Sequence, residues 1–251
     1  MNLDREKLVD LFHLALFCEE EGQSQLDFLE SRPFKKETLE KFKVGYCPPH
    51  VDYYIFPRLK GRIICPMYDV HGKLLCFFGR KLESDAEAVL DYLMEQCNDG
   101  LEMFYKWDRA KWINEPYTKT SHLYGLSHNK TDILEKGYAI VVEGNLDVVA
   151  LHDHGITNAV ATCGSQVFSA THIALLSRYT HNVVVMSDAD NAGDIAKDNI
   201  KHLLRPYNMN VYSAMLPKKQ DPEDFVRHFG GIEAMGRIEN GIAEGEKEIV
   251  L

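Results

Sequence analysis

The chain has 251 residues, 45% of them hydrophobic and 26% charged, and its formal net charge at pH 7 is −10. These values are ordinary for a globular protein, and no apolar run approaches the roughly 18 residues that a membrane-spanning helix needs. The first residues carry acids on both sides of an apolar stretch and lack a small-residue cleavage site. The sequence therefore predicts a cytoplasmic protein with no signal peptide and no membrane partner.

The first half of the chain predicts a mixed α+β domain at residues 1–130. Hydrophobic spacing favours a helix over 4–30 with an interruption near Gly22, and a short helix at 38–42. A strand at 43–49 and a hairpin follow, the hairpin having its turn at His71-Gly72. Its two strands are predicted at 62–70 and 74–82, and a helix at 86–97 within what looks like an insertion at 84–105.

From residue 138 onward, short apolar strands alternate with helical patterns. Such alternation is typical of a parallel sheet with crossover helices. We predict strands at 138–142, 158–161, 182–186 and 210–215, and helices at 146–153, 169–179 and 192–204. The fold class is therefore α/β, with the parallel-sheet domain at 131–230 and a short tail at 231–251 that is expected to form a weak helix.

Two of the predicted strands break abruptly into carboxylates and glycine, in IVVEGNLD at 140–147 and VVVMSDADNAG at 183–193. Because parallel strands end at the same edge of a sheet, Glu143, Asp188 and Asp190 are expected to converge. Three carboxylates there repel one another unless a hard cation such as Mg²⁺ neutralises them. A single acid after a strand is more often a helix cap, but the two motifs together indicate a metal site for phosphoryl transfer.

Charge and cysteine usage add weaker information. Residues 31–80 carry ten Lys/Arg against four Asp/Glu, whereas residues 131–251 carry ten against 17. A basic part that holds phosphates beside an acidic part that holds metal fits a polymerase, although a solvated face gives the same bias. The six cysteines include no C-x-x-C pair, which argues against a zinc ribbon and disulfides, and Cys65 and Cys76 are expected in the core. His152 and His154 are expected to complement a helix dipole rather than bind metal.

The acidic motifs, together with Asp221-Pro-Glu-Asp, resemble the Toprim domain shared by bacterial-type primases, type IA and II topoisomerases and some nucleases. Further motifs upstream are similar to the basic subdomain of DnaG-type primases, so the resemblance covers about residues 10–235. They are Phe42-Lys-Val-Gly-Tyr-x-Pro-Pro49, Gly61-Arg-Ile-Ile-x-Pro66, Asp69-x-x-Gly72, Phe78-Gly-Arg80, Lys111-Trp-Ile-Asn-x-Pro116 and Leu123-Tyr-Gly-Leu126. A phage or mobile-element version of this primase family also fits the chain.

The resemblance implies synthesis of short RNA primers from ribonucleoside triphosphates on a single-stranded DNA template, with Mg²⁺ or Mn²⁺. It assigns the catalytic metal ligands as Glu143, Asp188 and Asp190, and Glu143 also to proton transfer. Asp147, Asp221 and Glu223 would hold a second metal or lie in the outer shell. The positions expected to face template and incoming nucleotide are Arg62, Arg80, Lys111, Asn114 and Lys119.

Alternatives to these site assignments stay open at this stage. A solvated strand surface would also account for the basic residues, and Asn114 would equally cap its own turn. Trp112 and Tyr124 are expected to pack rather than to stack on bases. The sequence departs from the family at Ala189, where glycine is usual, and at Glu223, where aspartate is usual. The loop between Pro116 and Leu123 is also short.

The resemblance bears on partners and on competing functions as well. The family usually has an N-terminal zinc-binding domain and a C-terminal helicase-binding domain, so we expect a replicative helicase and a zinc module supplied in trans or by a missing part of the chain. A Toprim nuclease or topoisomerase fragment is the runner-up. A topoisomerase needs a nucleophilic tyrosine on another large domain, and a nuclease would not need residues 10–130. A catalytically silent nucleic-acid-binding module is the third hypothesis.

Overall fold

A computed structural model describes residues 4–18, 20–32, 34–49, 57–82, 110–164, 168–187, 207–218 and 220–249. The described residues divide into two compact units. The first comprises those within Met1–Ser31, Leu39–Met67 and Leu74–Pro116, and the second those within Arg32–Thr38, Tyr68–Lys73 and Tyr117–Leu251. Residues 117–130 thus lie in the second unit, whereas the sequence pattern places them in the first domain. The elements below are numbered among the described residues.

The chain starts with three helices, α1 (Arg5–Cys18), α2 (Gln23–Ser31) and α3 (Lys36–Lys41). A 3-10 turn at Glu20–Gly22 separates the first two. The predicted helix over 4–30 therefore exists with its interruption at the predicted place. Helix α1 buries the side chains at every third or fourth position, among them Leu8, Phe12 and Leu16, as an amphipathic helix on a core should.

The first sheet has the strand order β1-β2-β3-β4. Its strands are β1 (Gly45–Tyr46), β2 (Ile63–Tyr68), β3 (Leu74–Arg80) and β4 (Trp112–Asn114). Strands β1 and β2 are antiparallel, as are β3 and β4. The hairpin turn between β2 and β3 is as predicted, with Gly72 at φ 87°, and Cys65 and Cys76 are buried. The strand predicted over 43–49 is wrong in extent, because only two of its residues pair.

The second sheet is parallel throughout, with the order β6-β5-β7-β8. Its strands are β5 (Ala139–Val142), β6 (Ala159–Ala161), β7 (Asn182–Ser187) and β8 (Asn210–Met215). The helices between them are α5 (Asn145–Asp153) and α6 (Ala170–Leu176), and α4 (Leu126–Lys136) precedes the sheet. This confirms the predicted βα alternation. The helices predicted at 86–97 and 192–204 lie outside the described residues.

The weak helix expected after residue 230 is present, and it is longer than a short tail. Helix α7 runs over Pro222–Ile249, with one non-helical residue, Gly230 at φ 79° and ψ 171°. It packs on β8 and α5. A Cβ atom at Gly241 would lie 2.1 Å from the Ser213 carbonyl oxygen, so glycine lets the helix backbone approach the sheet closely. The glycines that lower helix propensity are thus what allows this packing.

Among the described helices, none has the length and apolar composition needed to cross a bilayer.

Candidate active site

Strands β5 and β7 are parallel neighbours, with Val141 opposite Val185, so their carboxyl ends lie at one edge of the sheet. Glu143 follows the last residue of β5 directly and is exposed. Strand β7 ends at Ser187. The next predicted ligands, Asp188 and Asp190, lie outside the described residues. At this edge, the structure therefore describes Glu143 and the turn that leads from it into α5.

Asp147 connects two helix N-termini at this edge. It lies in the first turn of α5 and is 8% exposed. Its Oδ2 accepts a hydrogen bond from the backbone N–H of Gly144 (2.9 Å), and its Oδ1 accepts one from Glu223 (3.2 Å). A Cβ atom on residue 144 would lie 2.8 Å from Asp147 Oδ2, which is why glycine follows Glu143.

The Asp221-Pro-Glu-Asp motif forms the start of helix α7. Asp221 Oδ1 accepts a hydrogen bond from the Asp224 N–H (2.7 Å), and Pro222 occupies the first helical position, where its missing N–H costs nothing. Asp221 is half-buried and Glu223 is buried. Glu223 forms an ion pair with Arg32. The motif thus caps the helix and also brings two carboxylates to Asp147.

Like-charge repulsion marks this cluster. Burial raises the pKa of Asp147 well above its ordinary value, and the neighbouring carboxylates of Asp221 and Glu223 raise it further. The two hydrogen bonds from backbone N–H groups oppose this shift but do not offset it. A bound cation would relieve the repulsion, and hard carboxylate oxygens are the donors that Mg²⁺-type ions prefer.

The described carboxylates do not make a complete metal site. Over residues 4–249 with the gaps given above, no group of three or more His, Cys, Asp or Glu side chains is arranged to hold a metal ion. The sequence-based prediction adds Asp188 and Asp190 to these ligands. The donor chemistry of Asp147, Asp221 and Glu223 nevertheless fits a divalent metal, because all three side chains are carboxylates.

Two of the predicted basic positions are buried in the first unit. Arg62 is 2% exposed, and its guanidinium donates to the carbonyl oxygens of Arg58 (3.0 Å) and Ala110 (2.8 Å). Arg80 is 6% exposed, with its guanidinium carbon 4.2 Å from the Phe28 ring centroid. A solvated strand surface, the alternative considered for these residues, therefore does not describe either of them.

The other predicted positions are more accessible. Lys111 is exposed and Lys119 is half-buried, in a 3-10 turn at Lys119–Ser121. Asn114 donates to the carbonyl oxygen of Glu115 (2.7 Å), which is the own-turn alternative. Tyr124 is buried, as expected of a packing residue.

Two residues that the motifs did not select also shape the site region. His172 is fully buried, and its Nε2 lies 2.9 Å from the Lys119 carbonyl oxygen and 3.0 Å from that of His122, so it anchors the turn that carries Lys119. Arg32, the partner of Glu223, is the second. Neither has a sequence signal, because their partners lie about 50 and 191 residues away. His154, by contrast, bonds its own helix end at Ala150 through Nδ1, in line with its expected structural role.

Comparison with known proteins places this geometry in a class. Residues 140–226 match the family model described as Toprim-like, so the second unit contains a Toprim-like domain. The DNA primase of Halalkalibacterium halodurans is 27% identical over 268 residues, which cover 91% of this chain and 41% of that protein. The DNA primase of Escherichia coli K12 is 28% identical over 253 residues, covering 87% and 39%.

Comparison with solved structures also finds similarity to DNA primases. The zinc-binding and RNA polymerase domains of the Aquifex aeolicus primase match with a TM-score of 0.74 and 26% identity, over 94% of this chain and 59% of that one. The Escherichia coli primase catalytic core matches at 0.75 and 28%, over 93% and 78%. A DnaG primase catalytic domain bound to single-stranded DNA matches at 0.76 and 27%, over 94% and 79%.

The chain is therefore homologous to the bacterial DNA primases and has the fold of their DnaG catalytic core, Toprim domain included. This confirms the resemblance and the fold class predicted from the sequence. The chain spans about two fifths of the length of the curated relatives it matches.

Proposed function

We propose that this protein is the polymerase core of a primase, which joins ribonucleotides into short RNA primers on single-stranded DNA for replication. The observation that carries the proposal is the pair of hydrogen bonds by which Asp147 links the Glu143 loop to the Asp221-Pro-Glu-Asp motif. It brings the two acidic motifs together on a chain that is homologous to DNA primases over most of its length. One structural relative is a DnaG catalytic domain bound to single-stranded DNA, which supports the proposed template.

Primer extension attacks the α-phosphate of a nucleotide with a 3′ hydroxyl and expels pyrophosphate. Bound Mg²⁺ or Mn²⁺ would neutralise charge on the transferring phosphoryl group. Glu143, Asp188 and Asp190 are the proposed catalytic ligands. Glu143, exposed at the sheet edge, is also the proposed acceptor of the hydroxyl proton.

Asp147, Asp221 and Glu223 would serve a second metal or the outer shell, and the contacts favour the outer role for two of them. Both oxygens of Asp147 accept backbone N–H groups, and Asp221 caps helix α7. These two carboxylates would therefore act by holding the ligand-bearing loops in position. Glu223 is the better candidate for direct contact with a second metal.

The basic positions divide in the same way. Lys111 and Lys119 are accessible and are the proposed contacts of template and triphosphate oxygens. Arg62 and Arg80 were predicted for this role, but both are buried and contact the neighbours of Lys111. They would therefore act indirectly, by holding the backbone around Lys111 in position. Asn114 would shape the turn after β4. We further propose a cytoplasmic protein that works with a replicative helicase and a zinc-binding module provided in trans or by another part of a longer chain.

A primer-synthesis assay tests the proposal most directly. It would use single-stranded DNA, ribonucleoside triphosphates and Mg²⁺ or Mn²⁺, with and without the cognate helicase and zinc module. RNA products that depend on template and metal are expected. Cleavage of DNA or RNA by the metal-loaded protein without nucleotides would favour a Toprim nuclease instead. No product under any condition, with melting temperatures that do not respond to metal, would favour a silent binding module.

A further inference from the structure

Glu223 has an ion-pair partner that is distant in sequence. Arg32 contacts it through Nη1, across a separation of 191 residues. Both side chains are largely removed from water, with exposed fractions of 23% for Arg32 and 6% for Glu223. An ion pair in such a place is screened much less by salt than one on the surface. Arg32 is therefore able to affect the charge of the carboxylate cluster.

The segment that carries Arg32 is itself fixed. Residues Arg32–Thr38, which include the start of α3, belong to the second unit, whereas Met1–Ser31 and Leu39–Met67 on either side belong to the first. The buried carboxylate of Asp153 accepts hydrogen bonds from the Lys35 backbone N–H (3.2 Å) and the Thr38 hydroxyl (2.5 Å). Phe34, which precedes Lys35, is buried. Arg32 thus reaches Glu223 from an anchored backbone, which reduces the entropy lost in holding the pair.

Two further carboxylates lie close to Glu223. The Glu223 N–H bonds Asp147 Oδ1, so the two acidic residues are adjacent, and Asp221 begins the same helix. We propose that Arg32 is a positioning residue that acts as the resident counter-cation of this cluster: it holds the Glu223 carboxylate in place and competes with a divalent metal for it. The inference rests on the proposed function, because it takes the cluster to be part of a metal site.

A counter-cation role for Arg32 can be distinguished by experiment from a purely structural role in holding residues 32–38. If Arg32 only fastens the 32–38 segment, its loss should lower stability equally with and without metal. If it is the counter-cation, its loss removes a positive charge from buried Glu223, which costs most when no metal is present. A divalent ion should then bind more tightly, because it no longer competes with a guanidinium.

The experiment compares wild type, Arg32→Gln, Arg32→Lys and Lys35→Ala in thermal melts with EDTA or millimolar Mn²⁺. A titration followed by the electron paramagnetic resonance signal of free Mn²⁺ gives the affinity. We expect Arg32→Gln to melt lower in EDTA, to gain more from Mn²⁺, and to bind Mn²⁺ roughly three- to tenfold more tightly. Arg32→Lys, which keeps the charge, should stay near wild type. Lys35→Ala, the matched control, removes a cation that pairs with Asp153 and should leave the Mn²⁺ affinity unchanged.

A wild-type protein that responds to Mn²⁺ and an Arg32→Gln variant with the same response would overturn this inference alone. A wild type whose melting and titration ignore Mn²⁺ would overturn the proposed metal site with it. If Arg32→Gln does not fold in EDTA, the double variant Arg32→Gln, Glu223→Gln decides. It has no unpaired charge at this contact, so recovery of folding is expected, and failure to recover would contradict the counter-cation role.

Discussion

The acidic and the basic residues selected by the sequence motifs differ in how the fold uses their charge. Asp147 and Glu223 are buried beside each other, and repulsion together with burial raises the pKa of Asp147. Arg62 and Arg80 are equally buried, but the first bonds backbone carbonyl groups and the second lies over aromatic rings. The acidic cluster therefore has like-charge repulsion that a cation can relieve, whereas the two arginines contact carbonyl oxygens and aromatic rings.

The largest effect is expected at a proposed catalytic ligand. Asp190→Ala should reduce primer synthesis by at least roughly a hundredfold, because it removes a carboxylate that would hold the catalytic metal. Binding of single-stranded DNA should stay equal or become slightly tighter, since local negative charge falls. Gel-based synthesis and fluorescence anisotropy measure the two. Asp224→Ala, an equal change of charge at a residue that pairs with Arg227, is the control. Loss of DNA binding in Asp190→Ala would contradict the assignment.

A buried arginine should matter for stability more than for DNA contact. Arg62→Ala leaves the carbonyl oxygens of Arg58 and Ala110 without their guanidinium donor and opens space next to Gly79, so we expect a loss of about 2–4 kcal/mol in the free energy of unfolding. Urea denaturation measures it. Lys111→Ala, at an exposed lysine, should change this free energy by no more than about 0.5 kcal/mol. If Arg62→Ala kept full stability and lost DNA binding, Arg62 would be a direct contact.

The pH dependence of stability in EDTA tests the acidic cluster. Because the pKa of Asp147 is raised in the folded state, the folded protein holds this proton more tightly than the unfolded chain. Its stabilising contribution is complete below the ordinary aspartate pKa of about 3.9 and is lost as pH rises through the raised pKa. Asp147→Asn should remove this loss, so the wild type's advantage over the variant should shrink as pH rises. An advantage that grows with pH would show that the sign of the shift is wrong.

The smallest effect concerns an exposed contact. Lys111→Ala should weaken binding to all single-stranded sequences alike and reduce the slope of log K against log salt by roughly 0.7. Anisotropy titrations at several salt concentrations measure this slope. The overall charge of −10 predicts weak binding that is lost easily above physiological salt. A slope that Lys111→Ala leaves unchanged would remove Lys111 from the proposed phosphate contacts.

The parallel sheet was predictable because its strands are short apolar runs bounded by glycine and acids, and β8 was predicted to the residue. The interruption in the first helix and the hairpin turn followed from Gly22 and Gly72. The helix at the end of the chain was predicted only as weak, because propensity counts its glycines as unfavourable, while Gly241 in fact provides close contact with β8. Local propensity does not include such tertiary contacts.

The carboxylates of the site were predictable as types, but their individual contacts were not. Spacing indicated that Glu143, Asp147 and Asp221 belong to acidic motifs. It did not show that both carboxylate oxygens of Asp147 accept hydrogen bonds from backbone N–H groups. Burial of Arg62 also escaped prediction, although the glycine of Phe78-Gly-Arg80 reflects it: a Cβ atom at Gly79 would lie 2.9 Å from Arg62 Cδ. Arg32 gave no signal at all.

The contacts of residues 32–38 also set an order of events during synthesis. Arg32 leaves the ribosome 191 residues before Glu223, which corresponds to about 10 to 40 s at ordinary rates of elongation. Thr38 is synthesised 115 residues before its hydrogen-bond partner Asp153. Until then, Arg32 and Thr38 lack these two partners, and the contacts can form only after closure of a very long loop. Residues 32–38 are thus made early but are among the last parts of the second unit to form their final contacts. A fragment that starts after residue 38 would lack these contacts altogether.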